Sequence, residues 1–251
     1  MNIKYRSIEF FGVSGSGKSF LRKKIKKNLE IKGYKVFDTR EIIISFIGKY
    51  VLLSISQKIS LLLFKLLLLI NIKTTLWNRS LNHICNIYKS DNLKKFHYYK
   101  KKINFLYKEN IKVSKSTTRI WLDELIIALI LFQKIKKNNA NIIYFPDEGF
   151  LQRLMLLVFF EEKAELKLIK KYLKNKIFCD KIVHVYAPQK NIYEINERRR
   201  LNKDSWSMDK KSIKKMINLN EKIKKIISFK YVNYKNDHIK NFENSNFSKF
   251  F

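Results

Sequence analysis

The chain has 251 residues, of which 46% are hydrophobic and 14% aromatic, and its formal net charge is +32. This apolar content excludes an intrinsically disordered chain, and two cysteines favour a reducing cytosol over a disulfide-stabilised secreted fold. Because lysines, spread along the whole sequence, make up all but nine of the 53 basic residues, the charge by itself does not make nucleic acid the main partner.

A short buried strand is predicted at residues 7–11, and a glycine-rich loop follows it directly. The loop has the pattern G-x-x-x-x-G-K-S, written here as Gly12-Val13-Ser14-Gly15-Ser16-Gly17-Lys18-Ser19. In such a loop the backbone N–H groups cradle nucleotide phosphates, the lysine reaches the β- and γ-phosphates, and the serine hydroxyl binds Mg²⁺. A helix that ends at Gly33 is predicted next, and its N-terminus adds partial positive charge. The sequence therefore predicts a site for ATP or GTP with Mg²⁺.

Polar residues follow a second predicted strand at 35–38. Thr39, Arg40 and Glu41 come where a parallel sheet presents its carboxyl edge, outside which ligands bind. A guanidinium group suits phosphate recognition because of its planar fork. Arg40 is therefore a candidate for binding the second substrate.

A mostly helical insertion is predicted at 42–116, and its first part, 42–72, is rich in leucine and isoleucine. Lys49, Lys58 and Lys65 interrupt this part, so no uncharged run approaches the roughly 18 residues that a membrane-spanning helix needs. Three interpretations stay open for 42–72: a buried or lid-forming helical pair, a segment on a membrane surface with snorkelling lysines, or a surface buried against a second copy of the chain.

Strands and helices alternate through the rest of the sequence. The predicted helices are 119–137, 151–174 and one that carries the arginines at 198–200, and the predicted strands are 141–145, 181–186 and 229–234. This alternation favours an α/β fold with a doubly wound parallel sheet of five strands. Residues 236–251 are expected to form a poorly structured tail. Because Met1 leads almost directly into the first strand, a signal peptide is not expected, and the expected location is the cytoplasm, with membrane association left open.

Two carboxylates follow the third predicted strand. Mg²⁺ prefers oxygen ligands, so Asp147 is predicted to hold the metal together with Ser19, and Glu148 to orient or deprotonate the attacking group, with the two roles exchangeable. Ordinary acidic residues at a helix N-terminus are the alternative. Arg153, in the next helix, is a candidate for binding an anionic acceptor, or else forms a surface salt bridge.

Three consecutive arginines, Arg198, Arg199 and Arg200, lie in a helix after the fourth predicted strand. Phosphoryl transfer depends on charge neutralisation, which bidentate guanidinium groups supply. Successive helical side chains point about 100° apart, so one or two of the three can face the phosphates. Residues 189–210 are therefore predicted to be a lid, with a solvated helix face as the alternative.

These blocks together resemble the P-loop kinases of the nucleoside and nucleotide kinase group, and thymidylate kinase most closely. The glycine loop is similar to the phosphate loop of that group, Thr39-Arg40-Glu41 to its Thr-Arg-Glu-Pro segment, and Arg198–Arg200 to its lid. The resemblance implies one domain over 1–251, with strand order 2-3-1-4-5. It also implies transfer of the γ-phosphoryl group of Mg·ATP, with Lys18, Asp147 and the arginine triplet as catalytic residues.

Two departures from that group concern the acceptor. Ile42 stands in place of the proline, and Asp147-Glu148-Gly149 in place of an Asp-Arg-aromatic motif. The acceptor is therefore left open among a nucleotide, a sugar and a lipid-linked glycan.

Two other classes of function compete with a kinase. A P-loop ATPase would use Asp147 and Glu148 as a metal and water pair that drives a conformational change. The sequence contains no Asn-Lys-x-Asp guanine signature and no Leu-Ser-Gly-Gly transporter signature. An RNA-binding or membrane-binding module with a decayed nucleotide site is the third class, and only the charge favours it.

Overall fold

The computed structural model describes residues 6–69, 76–103, 115–146, 149–160, 170, 179–202, 208–226 and 231–235. The chain divides into two compact units. The first unit comprises Met1–Tyr34 and Phe145–Phe251, and the second comprises Lys35–Tyr144. The prediction of a single domain over 1–251 stays a prediction.

Parallel strands and a larger number of helices make up the described residues. The strands are β1 (Ile8–Phe11), β2 (Lys35–Phe37), β3 (Ile142–Tyr144), β4 (Lys181–Tyr186) and β5 (Tyr231–Lys235). The α-helices are α1 (Lys18–Ile31), α2 (Thr39–Phe46), α3 (Ile55–Leu69), α4 (Leu76–Asp91), α5 (Leu93–Lys102), α6 (Lys115–Ile135), α7 (Phe150–Phe160), α8 (Gln189–Leu201) and α9 (Lys210–Ile226). A single 3₁₀ turn, Ile47–Lys49, follows α2.

The sheet of the first unit has the order β1-β4-β5, and both pairings are parallel. Ile8 pairs with Lys181 and Phe11 with His184, so the carboxyl end of β1 lies beside the carboxyl end of β4. All four residues of β1 are buried, which fits a strand covered on both faces. Helices α1 and α7 both contact β1, and α9 contacts α7 and α8.

The second unit is a helical cluster with a short parallel pair, β2 with β3. Helix α6 is its centre, since every residue from Leu125 to Leu131 is buried, and it contacts α2, α4 and α5. Helix α2 begins directly after β2. Its N-terminus is closed by a capping box, in which the Asp38 carboxylate accepts from Glu41 N and the Glu41 carboxylate accepts from Asp38 N.

The structure confirms an α/β fold with parallel strands, and it shows two small sheets where the sequence predicted one sheet of five strands. Most of the predicted elements are present within a few residues of their expected ends. Asp38 is a helix cap and not a strand residue, and α6 starts at Lys115, four residues before the predicted position. The predicted tail at 236–251 lies outside the described residues, as do 161–169 and 171–174 of the predicted helix at 151–174.

The described parts of the predicted insertion at 42–116 are helical except at Tyr50–Ser54, Asn92 and Ile103. In the described parts of the chain, no helix combines the length and the apolar character needed to cross a membrane.

Candidate functional site

The glycine loop, residues 12–19, connects the buried end of β1 to the first turn of α1. Gly12, Gly15 and Gly17 all have positive φ, and Gly17, with φ 91°, is the N-cap residue of α1. Only glycine adopts this left-handed conformation at low energetic cost. Because Gly17 carries no side chain, this N-cap residue supplies no side-chain acceptor to the first-turn N–H groups of α1. The loop therefore presents a helix N-terminus that its own cap residue does not fill, and a helix N-terminus attracts anions.

Lys18 holds its ammonium group over the start of the loop. Its Nζ donates to the carbonyl oxygens of Gly12, at 2.8 Å, and Val13, at 3.0 Å. The same Val13 oxygen accepts from Ser16 N at 3.1 Å, which closes a tight turn. These two carbonyls hold the ammonium of Lys18 at the start of the loop, beside the N-terminus of α1.

The hydroxyl groups of the loop differ in exposure. Ser16 is fully buried, whereas Ser19 is exposed in the first turn of α1 and makes no side-chain hydrogen bond among the described residues. An exposed hydroxyl beside the phosphate position is the kind of oxygen ligand that Mg²⁺ accepts together with water. Ser19 therefore fits the predicted metal role, and the buried Ser16 does not.

Helix α8 contacts the loop through two side chains, both of which reach Ser14. Asn196 Nδ2 donates to the Ser14 carbonyl oxygen at 3.2 Å and to the Ile192 carbonyl oxygen at 2.8 Å. Arg199 Nη1 donates to the Ser14 hydroxyl at 2.9 Å. Residues three apart share one face of a helix, so this pair fixes α8 against the loop.

The arginine triplet divides into three environments. Arg199 is half-buried at the loop, while Arg198 is exposed and has no side-chain partner among the described residues. Arg200 is exposed and pairs with Glu197, whose carboxyl pKa is lowered mainly by that hydrogen bond. The structure thus brings one arginine of the predicted three to the loop.

Helix α7 supports the loop from the other side. Gln152 Oε1 accepts from Gly12 N at 3.2 Å, across 140 residues of sequence. Glu9, buried within β1, accepts from Leu151 N at 2.6 Å and from Gln152 N at 3.1 Å. The Glu9 carboxylate therefore fills the N-terminus of α7, the position that a bound anion would otherwise take.

The approach of Glu9 to α7 depends on Gly149, since a Cβ at residue 149 would overlap the Glu9 carboxylate. Cys179 completes the surroundings, because its thiol donates to Glu9 Oε2 at 3.9 Å. Burial, reinforced by the charges of Glu9 and Asp180, raises the pKa of the Cys179 thiol well above its usual value. The thiol therefore stays neutral beside the carboxylate.

A second buried polar pair lies behind the loop. His184 of β4 is fully buried, stacks on Phe11 with ring centroids 4.7 Å apart, and lies 2.7 Å from Asn220 Nδ2 of α9. This pair ties α9 to the sheet beside the end of β1.

The two arginines that were predicted to bind the acceptor, Arg40 and Arg153, lie outside the glycine loop and helix α8. Arg40 lies in the first turn of α2 in the second unit, with Nε 4.0 Å from Glu124 Oε2. Arg153 is half-buried in α7, directly after Gln152. Their roles in binding an acceptor stay predictions.

The predicted carboxylates Asp147 and Glu148 lie outside the described residues. Within the described parts of the chain, no cluster of three or more His, Cys, Asp or Glu side chains is arranged to hold a metal ion. The assignment of the metal to Asp147 and Ser19 therefore stays a prediction.

Sequence reasoning missed Glu9, Gln152 and Asn196. Glu9 had a signal, since a lone carboxylate in an otherwise apolar buried strand needs a partner inside the protein. Asn196 shares a helical face with Arg199, which the sequence had singled out. Gln152 had no signal of its own. No protein-family model matches the chain, and no curated protein matches it either.

Proposed function

We propose that the chain is a phosphotransferase that moves the γ-phosphoryl group of Mg·ATP to a hydroxyl or phosphate acceptor. The observation that carries the proposal is the glycine loop, in which the Lys18 ammonium lies beside the N-terminus of α1 and the N-cap residue is a glycine in the left-handed conformation. A polyphosphate tail matches this arrangement, since its oxygens accept from backbone N–H groups and its charge offsets that of the lysine.

Each side chain has a distinct task in the proposed reaction. Lys18 neutralises charge on the β- and γ-phosphates, and Ser19 with Asp147 would hold Mg²⁺. When bound, the metal ion offsets phosphate charge that builds up during transfer. Glu148 accepts the proton of an acceptor hydroxyl, whose oxygen attacks the γ-phosphorus while the bond from that phosphorus to the bridging oxygen breaks and ADP leaves.

Arg199 is the arginine that this proposal assigns to the phosphates. Its guanidinium already lies at the loop, 2.9 Å from the Ser14 hydroxyl, and needs only a small movement to exchange that partner for a phosphate oxygen. Asn196 keeps α8 in place during the exchange through the Ser14 carbonyl. Residues 189–210 would then act as the lid, with a cytoplasmic setting for the whole enzyme.

The proposed fold extends the two small sheets into one. The order 2-3-1-4-5 requires four strand pairings. Three of them are present, namely β2 with β3, β1 with β4, and β4 with β5. A sheet of this kind, with a glycine loop after its first strand, is the usual framework for binding a nucleotide at the carboxyl ends of the strands.

The proposal is tested first by binding. Calorimetric titration with Mg·ATP and Mg·GTP should give saturable binding to the wild-type chain, and Lys18→Ala should weaken it at least about tenfold. Lys27→Ala, at an exposed position of α1, is the matched control and should bind as the wild type does. Absence of saturable binding to the wild type contradicts the proposal.

The chemistry is tested next, with γ-labelled ATP and panels of nucleotides, sugars and lipid extracts. A kinase transfers label to one acceptor class and releases little phosphate without it. Rapid phosphate release to water, equal with and without every acceptor, would instead identify an ATPase.

A further inference from the structure

Helix α3 of the second unit carries an apolar stripe on its outer surface. Ile55, Ile59, Leu62, Leu63 and Leu66 are each at least 50% exposed. Their spacing of three and four residues places them on one face of the helix, and Leu52, which is 98% exposed, precedes that face. Soluble proteins seldom leave so many large apolar side chains together in water, so we call this set the α3 stripe and ask what covers it.

The opposite face of α3 is already in use. Leu61 and Phe64 are buried, and α3 contacts α2 and α4. The helix is therefore held in the second unit by one face, and the α3 stripe points away from that unit.

Charge lies along one edge of the stripe. Lys58 and Lys65 are exposed, and seven residues separate them, which is two helical turns. At about 100° per residue both fall on the same side of the stripe, and α3 contains no acidic residue. An apolar face with a cationic edge is the pattern of a helix that lies in the surface of an anionic bilayer, its leucines among the acyl chains and its lysines at the headgroups.

We infer that the α3 stripe docks the protein on an anionic lipid surface. The net charge of +32 favours this occupant over a second copy of the chain, because self-association would bring two strongly cationic proteins together. The helix lies flat on the bilayer in this arrangement, and no spanning segment is needed. The inference is independent of the proposed phosphotransferase activity.

Vesicle flotation with the full chain tests the inference directly. The wild type should float with vesicles that contain about 30% phosphatidylserine in phosphatidylcholine, and much less with pure phosphatidylcholine. Lys18→Ala should float equally well, because the glycine loop takes no part. The experiment therefore separates a failure of membrane docking from a failure of nucleotide binding.

Two variants examine the stripe and its edge. Leu62→Gln/Leu66→Gln should lower partitioning at least about tenfold, since two exposed leucines no longer enter the bilayer. The matched control is Ile31→Gln/Leu93→Gln, which removes two exposed apolar side chains from α1 and α5. It should float as the wild type does.

Lys58→Gln/Lys65→Gln should lower binding to anionic vesicles about tenfold and leave the weak binding to neutral vesicles unchanged. Lys94→Gln/Lys101→Gln, an exposed pair with the same spacing on α5, is its control. Far-ultraviolet circular dichroism and thermal unfolding should be unchanged in all four variants, because every substituted side chain is exposed.

Three outcomes overturn the inference. One is a wild type that does not float with anionic vesicles. Another is flotation that falls equally in the stripe variants and their controls, since overall charge then accounts for it. The third combines two results. The wild type does not bind vesicles, and light scattering shows a dimer that dissociates in Leu62→Gln/Leu66→Gln, since a second copy of the chain then covers the α3 stripe.

Discussion

The helices α1 and α7 both contact the buried strand β1, and their N-termini differ in how they are capped. Helix α7 is filled from within, because the Glu9 carboxylate accepts from its first backbone N–H groups. Helix α1 begins at Gly17, which has no side chain to offer, and it has the Lys18 ammonium beside it. One end is closed by the protein's own anion, and the proposed function assigns the other end to the phosphates of a nucleotide.

This difference distinguishes an N-terminus with a structural role, that of α7, from one to which the proposed function assigns a ligand, that of α1. The partial positive charge at any helix N-terminus attracts anions. Two neighbouring N-termini without an internal anion would therefore compete for the same ligand. Filling α7 with Glu9 removes that competition and anchors Gln152, which holds Gly12 N of the loop. The closed end thereby supports the open one.

The largest expected effect comes from breaking the closed end. Gly149→Ala should lower the free energy of unfolding by about 3 kcal/mol, since the new Cβ would overlap Glu9 and push it from α7. Urea denaturation measures the loss. The control is Gly33→Ala, where the added methyl meets no atom and only the left-handed φ of 82° costs about 1 kcal/mol. Equal losses in the two variants would contradict the role given to Glu9.

The next effect comes from making the open end resemble the closed one. Gly17→Asp places a carboxylate at the N-terminus of α1, and it should weaken Mg·ATP binding about a hundredfold relative to Gly17→Asn, by Coulomb repulsion of the phosphates. The asparagine variant has the same shape and the same backbone strain without the charge. Calorimetry compares the two. Equal affinities would mean that phosphates bind elsewhere.

A smaller effect separates the three arginines beside the open end. Arg199→Gln should lower kcat/KM for phosphoryl transfer about thirtyfold, because its guanidinium lies at the loop. Arg200→Gln removes only an exposed pair with Glu197 and should cost less than about threefold. Steady-state kinetics of both variants test this order, and a larger loss for Arg200→Gln would reverse it.

The smallest expected effect is on the alkylation rate of Cys179, whose thiol contacts Glu9 at the closed N-terminus of α7. Its thiol has a raised pKa, so at pH 8 iodoacetamide should label it about tenfold more slowly in the folded chain than in urea. Saturating Mg·ATP should leave that rate unchanged, because the ligand binds at the other helix. Peptide-level mass spectrometry distinguishes Cys179, which is half-buried, from Cys85, which is buried.

The raised pKa of the Cys179 thiol also predicts how the stability of the protein changes with pH. Its pKa is raised in the folded state, so the unfolded chain ionises first as the pH rises. The stability that the neutral thiol contributes is therefore complete below the ordinary thiol pKa and declines above it. Cys179→Ser should remove part of that decline in denaturation curves measured between about pH 8 and pH 10.

Local pattern predicted the elements that carry the loop. The glycine spacing, the apolar run of β1 and the helical spacing of Leu21, Ile25 and Leu29 all lie within 25 neighbouring residues, and the structure has each of them. The strands β3 and β4 were predicted from apolar runs that end near the two prolines. Such signals are short-range, and a sequence displays them directly.

The contacts that shape the site are long-range. Glu9 meets Leu151 across 142 residues, and Asn196 meets Ser14 across 182. No periodicity encodes such a meeting, since it depends on which strands become neighbours and where each helix starts. For the same reason the sequence ranked Arg198, Arg199 and Arg200 together, and only the position of α8 distinguishes them.

Ser14 joins the loop and α8 by both its main chain and its side chain. Displacing α8 therefore changes the energy of the loop, and altering the loop changes the energy of α8. Under the proposed function, an acceptor that shifts α8 raises or lowers the affinity for nucleotide, and the nucleotide alters the affinity for that acceptor by the same factor. The binding of each substrate would thus be coupled to that of the other through one serine, in addition to their contact at the transferred phosphoryl group.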